Sequence, residues 1–466
     1  MKIRKVMRLC KFEKINDEDD LRRVIDMILE ERPYVAVVPV LSRLREMHVS
    51  LSAEWFKADD ESSMQRIVCG MADYVSALVE SFAPGHATDS CFESLVAGHK
   101  ERIFSLMADR SDLNSDKLMK AEVFMLSADL VAFCLRCRGI NARVADTAGM
   151  VHLDCERVPD VPSARESVKR LVAANRDADM FVAPMSLCCD VEGCADFMGD
   201  RRNDYYAVAL AAAFGADEAV LATRMDNIRT LGGQGRDGHS LTYLEAEQLV
   251  NSGAYLIYMD GISLAERYGI ALRLYGADDL KRERMYVSAQ DTGHGVKAVF
   301  VRDDVSFVRF TSKNIVPPYL FLGKLLDVLA KYKIRVDSMA SSNVSVSMVL
   351  AASGDALRMV GRDVRRYADM AADEGMSLVN LIGSLGWEQT KVEQRIMSAM
   401  REVAVSFISY GGSDHCFTVA VHSADKARLL DTLGGVLGDV FGRRQISLGV
   451  PDLSVSHRAS TIAMHA

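Results

Sequence analysis

The chain has 466 residues, 49% of them hydrophobic and only 9 of them proline, which fits two or three compact domains and leaves little room for disordered linkers. Its formal net charge of -8 argues against a nucleic-acid or anionic-membrane surface, since both need clustered Lys and Arg. The basic stretch Met1 to Cys10 has no apolar core for a secretory signal, and no apolar run reaches the ~18 residues of a membrane span, so the chain is expected in the cytoplasm.

Val6 to Phe12 alternates like a strand, and Leu21, Val24, Ile25, Ile28 and Leu29 then recur at helical spacing behind Asn16 and Asp17 as candidate caps. Tyr34 to Leu41 is a Val-rich apolar run of the kind covered on both faces of a sheet, so strand, helix and strand imply a parallel unit. From Trp55 to Leu135 the period is mainly helical. Met180 to Ser186, Glu218 to Thr223 and Tyr255 to Met259 are further apolar runs, alternating with helices at Asp204 to Phe214, Leu244 to Asn251 and Ser263 to Tyr268. Residues 1–285 therefore read as one α/β domain with a parallel-rich central sheet between helical layers.

Beyond Lys281 the pattern changes. Lys297 to Val301 and Ser306 to Thr311 alternate as short strands, Phe321 to Tyr332 is amphipathic behind the turn at Pro317-Pro318, and Val336 and Val344 to Ala351 return to strand. A second pass gives strands at Val403 to Tyr410 and Cys416 to Val421, a helix at Ala424 to Leu437, and a strand at Gln445 to Val450. Each pass reads as a βαββ unit, at 298–395 and 400–466, that must pair to close a core.

The ten cysteines form no framework. Cys134 and Cys137 are one helical turn apart inside a helical pattern, and neither they nor Cys188, Cys189 and Cys194 have a His at ligand spacing, so no metal site is expected.

Several segments together resemble the aspartokinase family, which joins an amino-acid kinase domain to tandem ferredoxin-like ACT domains. Leu241-Thr-Tyr-Leu-Glu-Ala-Glu-Gln-Leu-Val-Asn-Ser-Gly-Ala254 follows the family run Ser-Tyr-x-Glu-Ala-x-Glu-Leu-x-x-x-Gly-Ala. Ile334 to Ser347 is similar to its ligand-sensing strand, loop and strand. Lys11-Phe12 sits where the family opens Lys-Phe-Gly-Gly-Thr-Ser. The resemblance implies ancestry as an ATP:L-aspartate 4-phosphotransferase of lysine, threonine and methionine synthesis, using ATP and Mg²⁺ if active.

Phosphoryl transfer to a carboxylate needs a cation on the transferred group, close backbone approach to the phosphates and a clamp on the acceptor. By resemblance, Lys11 matches the lysine serving the first need and Asp204 a retained catalytic aspartate. The family glycines that serve the second are replaced by Glu13 and Lys14. Its ATP-holding Thr-Asp-Val-Asp segment reads Thr223-Arg-Met-Asp226, which leaves Thr223 and Asp226 as nucleotide candidates beside Arg224. The run Leu231 to Gly238 is Gly-rich but lacks a following Lys-Ser/Thr and is no P-loop. At the third, the family loop Gly-Arg-Gly-Gly-Ser-Asp reads Gly-Asp-Arg-Arg-Asn-Asp, with Asp200 at the arginine that grips the substrate α-carboxylate. Phe124 stands where a Glu binds the substrate ammonium, with Glu122 two residues away, and Tyr255 replaces a family Lys. Arg201 and Arg202 precede a helix N-terminus and are anion candidates.

The regulatory half shows no comparable damage, with one change where Ser342-Asn343-Val344 stands for the family Ser-Glu-Val. By resemblance Asp337 takes the amine of a free amino acid, with Phe321 and Leu322 at the helix-start loop and Ser342 and Asn343 at the turn. The expectation is an amino-acid-sensing homodimer, catalytically impaired. An active aspartate kinase with a rebuilt site and a kinase of another small carboxylate or amino acid are the alternatives.

Overall fold

In the computed structural model, which describes residues 4–8, 15–57, 61–109, 114–199, 202–223, 228–230, 240–276, 279–290, 293, 295–313, 317–386 and 390–440, the first strand, helix and strand form the expected parallel unit. β1 (Lys5–Arg8), α1 (Glu18–Glu31) and β2 (Val35–Val38) build it. Asp17 caps α1 by accepting a hydrogen bond from the Asp20 N–H, and Glu18, Asp19 and Asp20 fill the first turn, where the helix dipole favours anions.

Helices α2 (Ser42–Lys57), α3 (Glu61–Phe82), α4 (Ser90–Ala108) and α5 (Ser115–Cys137) follow. Next come β3 (Ala142–Val144), α6 (Val161–Ala174), β4 (Met180–Pro184), the antiparallel pair β5 (Leu187–Cys189) and β6 (Ala195–Phe197), α7 (Asn203–Phe214) and β7 (Glu218–Thr223). Residues 225–254 belong to a second compact unit and carry β8 (Ile228–Thr230), β9 (Ser240–Thr242) and α8 (Tyr243–Asn251). The first unit closes with α9 (Met259–Tyr268), β10 (Ala271–Gly276) and β11 (Asp279–Ser288). The apolar run Tyr255 to Met259 is thus a loop leading into α9, and the strand it seemed to announce lies after the helix.

The strands of this unit lie in the order β3-β4-β2-β1-β7-β10-β11, parallel except for β10 against β11. Period-two alternation sorts their side chains onto two faces. Met7, Ala36, Val38, Val182 and Val220 join a core with α1 to α5. On the opposite face Phe181 meets Phe214 of α7 at 5.7 Å between ring centroids. Every residue of α7 is buried, so this helix has no solvent face and its polar residues must find partners inside.

The second unit covers 225–254 and 292–466. After β12 (Gly295–Ser312) come α10 (Pro318–Lys331), β13 (Val336–Ser341), β14 (Ser345–Leu350), α11 (Asp355–Val364), β15 (Ala368–Ser384), α12 (Thr390–Ala399), β16 (Val405–Ser409), β17 (Cys416–His422) and α13 (Lys426–Val440). The sheet order is β13-β14-β12-β15-β17-β16, with β8 beside β12. The two short strands expected at Lys297 to Val301 and Ser306 to Thr311 are one strand. The polar Asp303-Asp304 pair between them is a bulge, with Asp304 left-handed at φ 58° and the register to β15 slipping on both sides of Val305. The first half of β12 pairs with the second half of β15, next to β17, while its second half pairs with β14. The two repeats therefore interleave along shared strands. α10 and α11 cover one core, α12 and α13 another, and Val305, Phe307, Val349, Met376 and Phe407 form a third between strands. The strand expected at Gln445 to Val450 lies outside the described residues.

Candidate functional site

The parallel strands β1 and β7 end side by side, and the N-terminus of α7 meets them, as ligand-binding crevices do in open α/β sheets. Arg8 ends β1 and is buried. Its guanidinium lies 2.5 Å from the Asp204 carboxylate and donates to the Ala222 carbonyl at 2.6 Å. Asp204 is itself 4% exposed, so the expected catalytic aspartate is held against a cation that the sequence did not single out. The neighbouring Asn203 Oδ1 and the Arg8 Nε are buried without a hydrogen-bond partner among the described residues. Thr223 closes β7, and its hydroxyl donates to the Leu256 carbonyl. Lys11, Arg201 and Asp226, like Glu13, Lys14, Asp200, Arg224 and the Leu231 to Gly238 run, lie outside the described residues.

A second group gathers around Phe197. The Phe124 ring packs on it at 4.9 Å, and the Lys120 ammonium lies 4.1 Å from its centre. Arg157, in a left-handed conformation at φ 63°, pairs with Asp196 at 2.8 Å and donates to the Phe197 carbonyl at 2.6 Å. Arg202 donates to the Arg157 carbonyl at 3.3 Å and stacks 5.2 Å from the centre of Tyr258. Arg157 and Asp196 lie in no motif, and only the backbone strain of a non-glycine at positive φ marks the arginine. Glu122, two residues from Phe124, points elsewhere: α5 runs unbroken through it, and it binds His99 at 2.8 Å and Arg102 at 2.9 Å. His99 is buried between Glu122 and Asp129, the latter 3.1 Å from its Nε2. Burial works against its protonation, but hydrogen bonds to Asp129 and Glu122 outweigh this and raise its pKa.

Cys134 and Cys137 both fall in the last turns of α5, and burial pushes the Cys134 thiol up to about 12. The described residues hold no group of three or more His, Cys, Asp or Glu placed for a metal ion, and no described helix is long and apolar enough to cross a membrane.

In the second unit Asp337 enters β13 with its side chain fully covered. Its Oδ1 is shared by Arg302 at 2.8 Å and Arg335 at 2.9 Å, while its Oδ2 is buried without a partner among the described residues. Burial raises its pKa against the pull of the two arginines. Arg335 also donates to the Asn251 carbonyl at 2.5 Å. Phe321 places its ring in the core of α10 and α11, edge-on to Tyr367 at 6.3 Å, and Leu322 packs against the same core. The Ser342 hydroxyl accepts from the Ser345 N–H at 3.1 Å, so it holds the turn between β13 and β14, and Asn343 is exposed there.

The model of the amino acid kinase family matches residues 66–275. Lysine-sensitive aspartokinase 3 of Escherichia coli (strain K12) is 21% identical over 319 residues, 65% of this chain and 71% of that protein. The crystal structure of E. coli aspartokinase III in complex with lysine and aspartate superposes with a TM-score of 0.69 at 18% identity, covering 93% of this chain and 99% of that one. Clostridium acetobutylicum aspartate kinase gives 0.75 at 14% identity, with 94% and 100% coverage. These likenesses establish the fold, an amino-acid kinase-like α/β domain followed by ACT-like domains.

Proposed function

We propose that the chain is an aspartokinase homologue with a regulatory, amino-acid-sensing role, whose ATP:L-aspartate phosphotransferase activity is weak or absent. The observation that carries this reading is the setting of Phe124. Where an acceptor ammonium would need a carboxylate, the neighbours are Phe197, Lys120 and the Arg157 already paired with Asp196, while Glu122 is committed to His99 and Arg102. Leaving a charged group without its partner costs roughly 2–5 kcal/mol, a loss of well over tenfold in affinity. A hydroxamate assay with ATP, Mg²⁺ and aspartate tests the proposal. No aspartyl phosphate above background is expected, and robust turnover abolished by Lys11→Ala would overturn it.

Lys120, Arg157 and Arg202 favour a second reading, a kinase of a small carboxylate without an ammonium group, again with ATP and Mg²⁺. Turnover of a simple dicarboxylate in the same assay would decide for it.

The sensing half of the proposal rests on Asp337. Its buried Oδ2 offers an acceptor to a ligand amine, and an amino acid bound there would sit beside the two arginines that hold Oδ1. Phe321 and Leu322 pack in the core beneath α10, and Ser342 and Asn343 border the turn. A cytoplasmic homodimer through the C-terminal repeats fits β13, which ends the sheet as an edge strand beside exposed Met339 and Val344.

A further inference from the structure

The helical face of the first regulatory repeat carries an open cleft of about 690 Å³, lined by Asp327, Val328 and Lys331 of α10 and by Arg362, Asp363, Arg365 and Arg366 at the end of α11. Four of these side chains are cationic and two are carboxylates. One pair is already spent. Lys331 lies 2.7 Å from Asp363, which also accepts the Tyr332 hydroxyl at 2.9 Å. These bonds hold the Asp363 carboxyl below its usual range and the Lys331 ammonium above its own.

Arg362, Arg365 and Arg366 are exposed, and no ion pair joins them to a described residue. One cation at a helix C-terminus is explained by the dipole. Arg362 in the last turn of α11 and Arg365 and Arg366 just past its end line one cleft, where like charges repel. Asp327 alone stands against them in the cleft. A bound anion would relieve the repulsion, and guanidinium groups suit phosphate or carboxylate because each can donate two parallel hydrogen bonds. The cleft is open to solvent and has room for a small polar molecule.

We propose that this cleft binds a small polyanion carrying at least two phosphate or carboxylate groups, held by Arg362, Arg365 and Arg366. It is distinct from the amino-acid site at Asp337. α10 leads into β13, which carries Asp337, so an anion that draws α10 and α11 together acts on the element that positions the sensing carboxylate.

Calorimetry of the full chain at low ionic strength, with pyrophosphate in one arm and citrate in the other, tests the proposal. One anion per chain is expected, and the stronger arm identifies the phosphate or carboxylate preference. The triple variant Arg362→Gln, Arg365→Gln, Arg366→Gln should bind at least tenfold more weakly. Arg358→Gln, on the same helix but paired with Asp355 outside the cleft lining, should bind as the wild type does. Asp327→Asn should bind more tightly, a gain that a misfolded variant cannot mimic. The proposal is overturned if neither anion binds, if the triple variant binds as well as the wild type, or if sodium chloride at matched ionic strength reproduces the effect.

Discussion

The guanidinium of Arg335 lies 2.9 Å from the Asp337 carboxylate, and a second nitrogen of the same group donates to the Asn251 carbonyl at 2.5 Å. A single side chain therefore ties the Asp337 carboxylate of β13 to the end of α8. Arg302 adds to this tie from β12, and an added Cβ on Gly253 would stand 2.7 Å from its Nη1 in a backbone already at φ +102°.

Replacing Asp337 with Ala should therefore lower stability, because it leaves two guanidinium groups facing each other without their anion. Breaking a buried pair costs ~3–5 kcal/mol, and the partial exposure of both arginines reduces this to about 1–3 kcal/mol. Arg335→Ala should cost less, since Arg302 remains. Urea unfolding measures both, and equal stability of Asp337→Ala and wild type would dismiss the tie.

The Arg8 and Asp204 pair is buried on both sides, so solvent screening offers no relief. Arg8→Met or Asp204→Leu alone should each cost ~3–5 kcal/mol by stranding the other charge, whereas the double variant should recover most of that loss. A double-mutant cycle in urea reads the coupling. Additive losses would show that the two groups do not depend on each other.

Much of the fold was legible because its signals are local. The Val-rich run at β2, the Asp17 cap and the apolar stripe of α1 each declare themselves within a few residues. The interleaving of β12 and β15 was not, because a bulge at Asp303-Asp304 imitates a turn and strand partners 56 to 89 residues apart leave no periodic trace. The site divided in the same way. Asp204 and Asp337 stood out through motifs, but their partners Arg8, Arg302 and Arg335 are ordinary arginines until the fold brings them within 3 Å.

His99 predicts a pH dependence. Its pKa is raised in the folded chain despite burial, through Asp129 and Glu122, with Arg102 also touching the ring at 2.9 Å. A raised folded pKa means the contribution is fully present below the unfolded histidine value of about 6.5 and is lost as pH climbs through the folded value above it. The melting temperature of the wild type should fall across that upward window more than that of His99→Gln. Parallel pH profiles for the two proteins would remove His99 as the cause.

The last prediction concerns the shared strands. A Cβ on Gly383 of β15 would stand 2.0 Å from the Gly295 carbonyl oxygen and 2.9 Å from the Lys297 nitrogen, both of them backbone atoms of β12. Neither can yield alone, because Gly383 pairs with Val296 in the ladder, and Val296, Leu381 and Leu385 fill the core beneath α12 and α13. Gly383→Ala should therefore cost about 3 kcal/mol or more, at the upper end of overpacking losses, and open the second repeat to protease. Gly386→Ala, where an added Cβ meets nothing within 4 Å, serves as the control and should leave the melting temperature within a degree or two. If both variants melt together with the wild type, the close approach of β12 and β15 at this point does not exist, and the interleaved register of the two repeats fails with it.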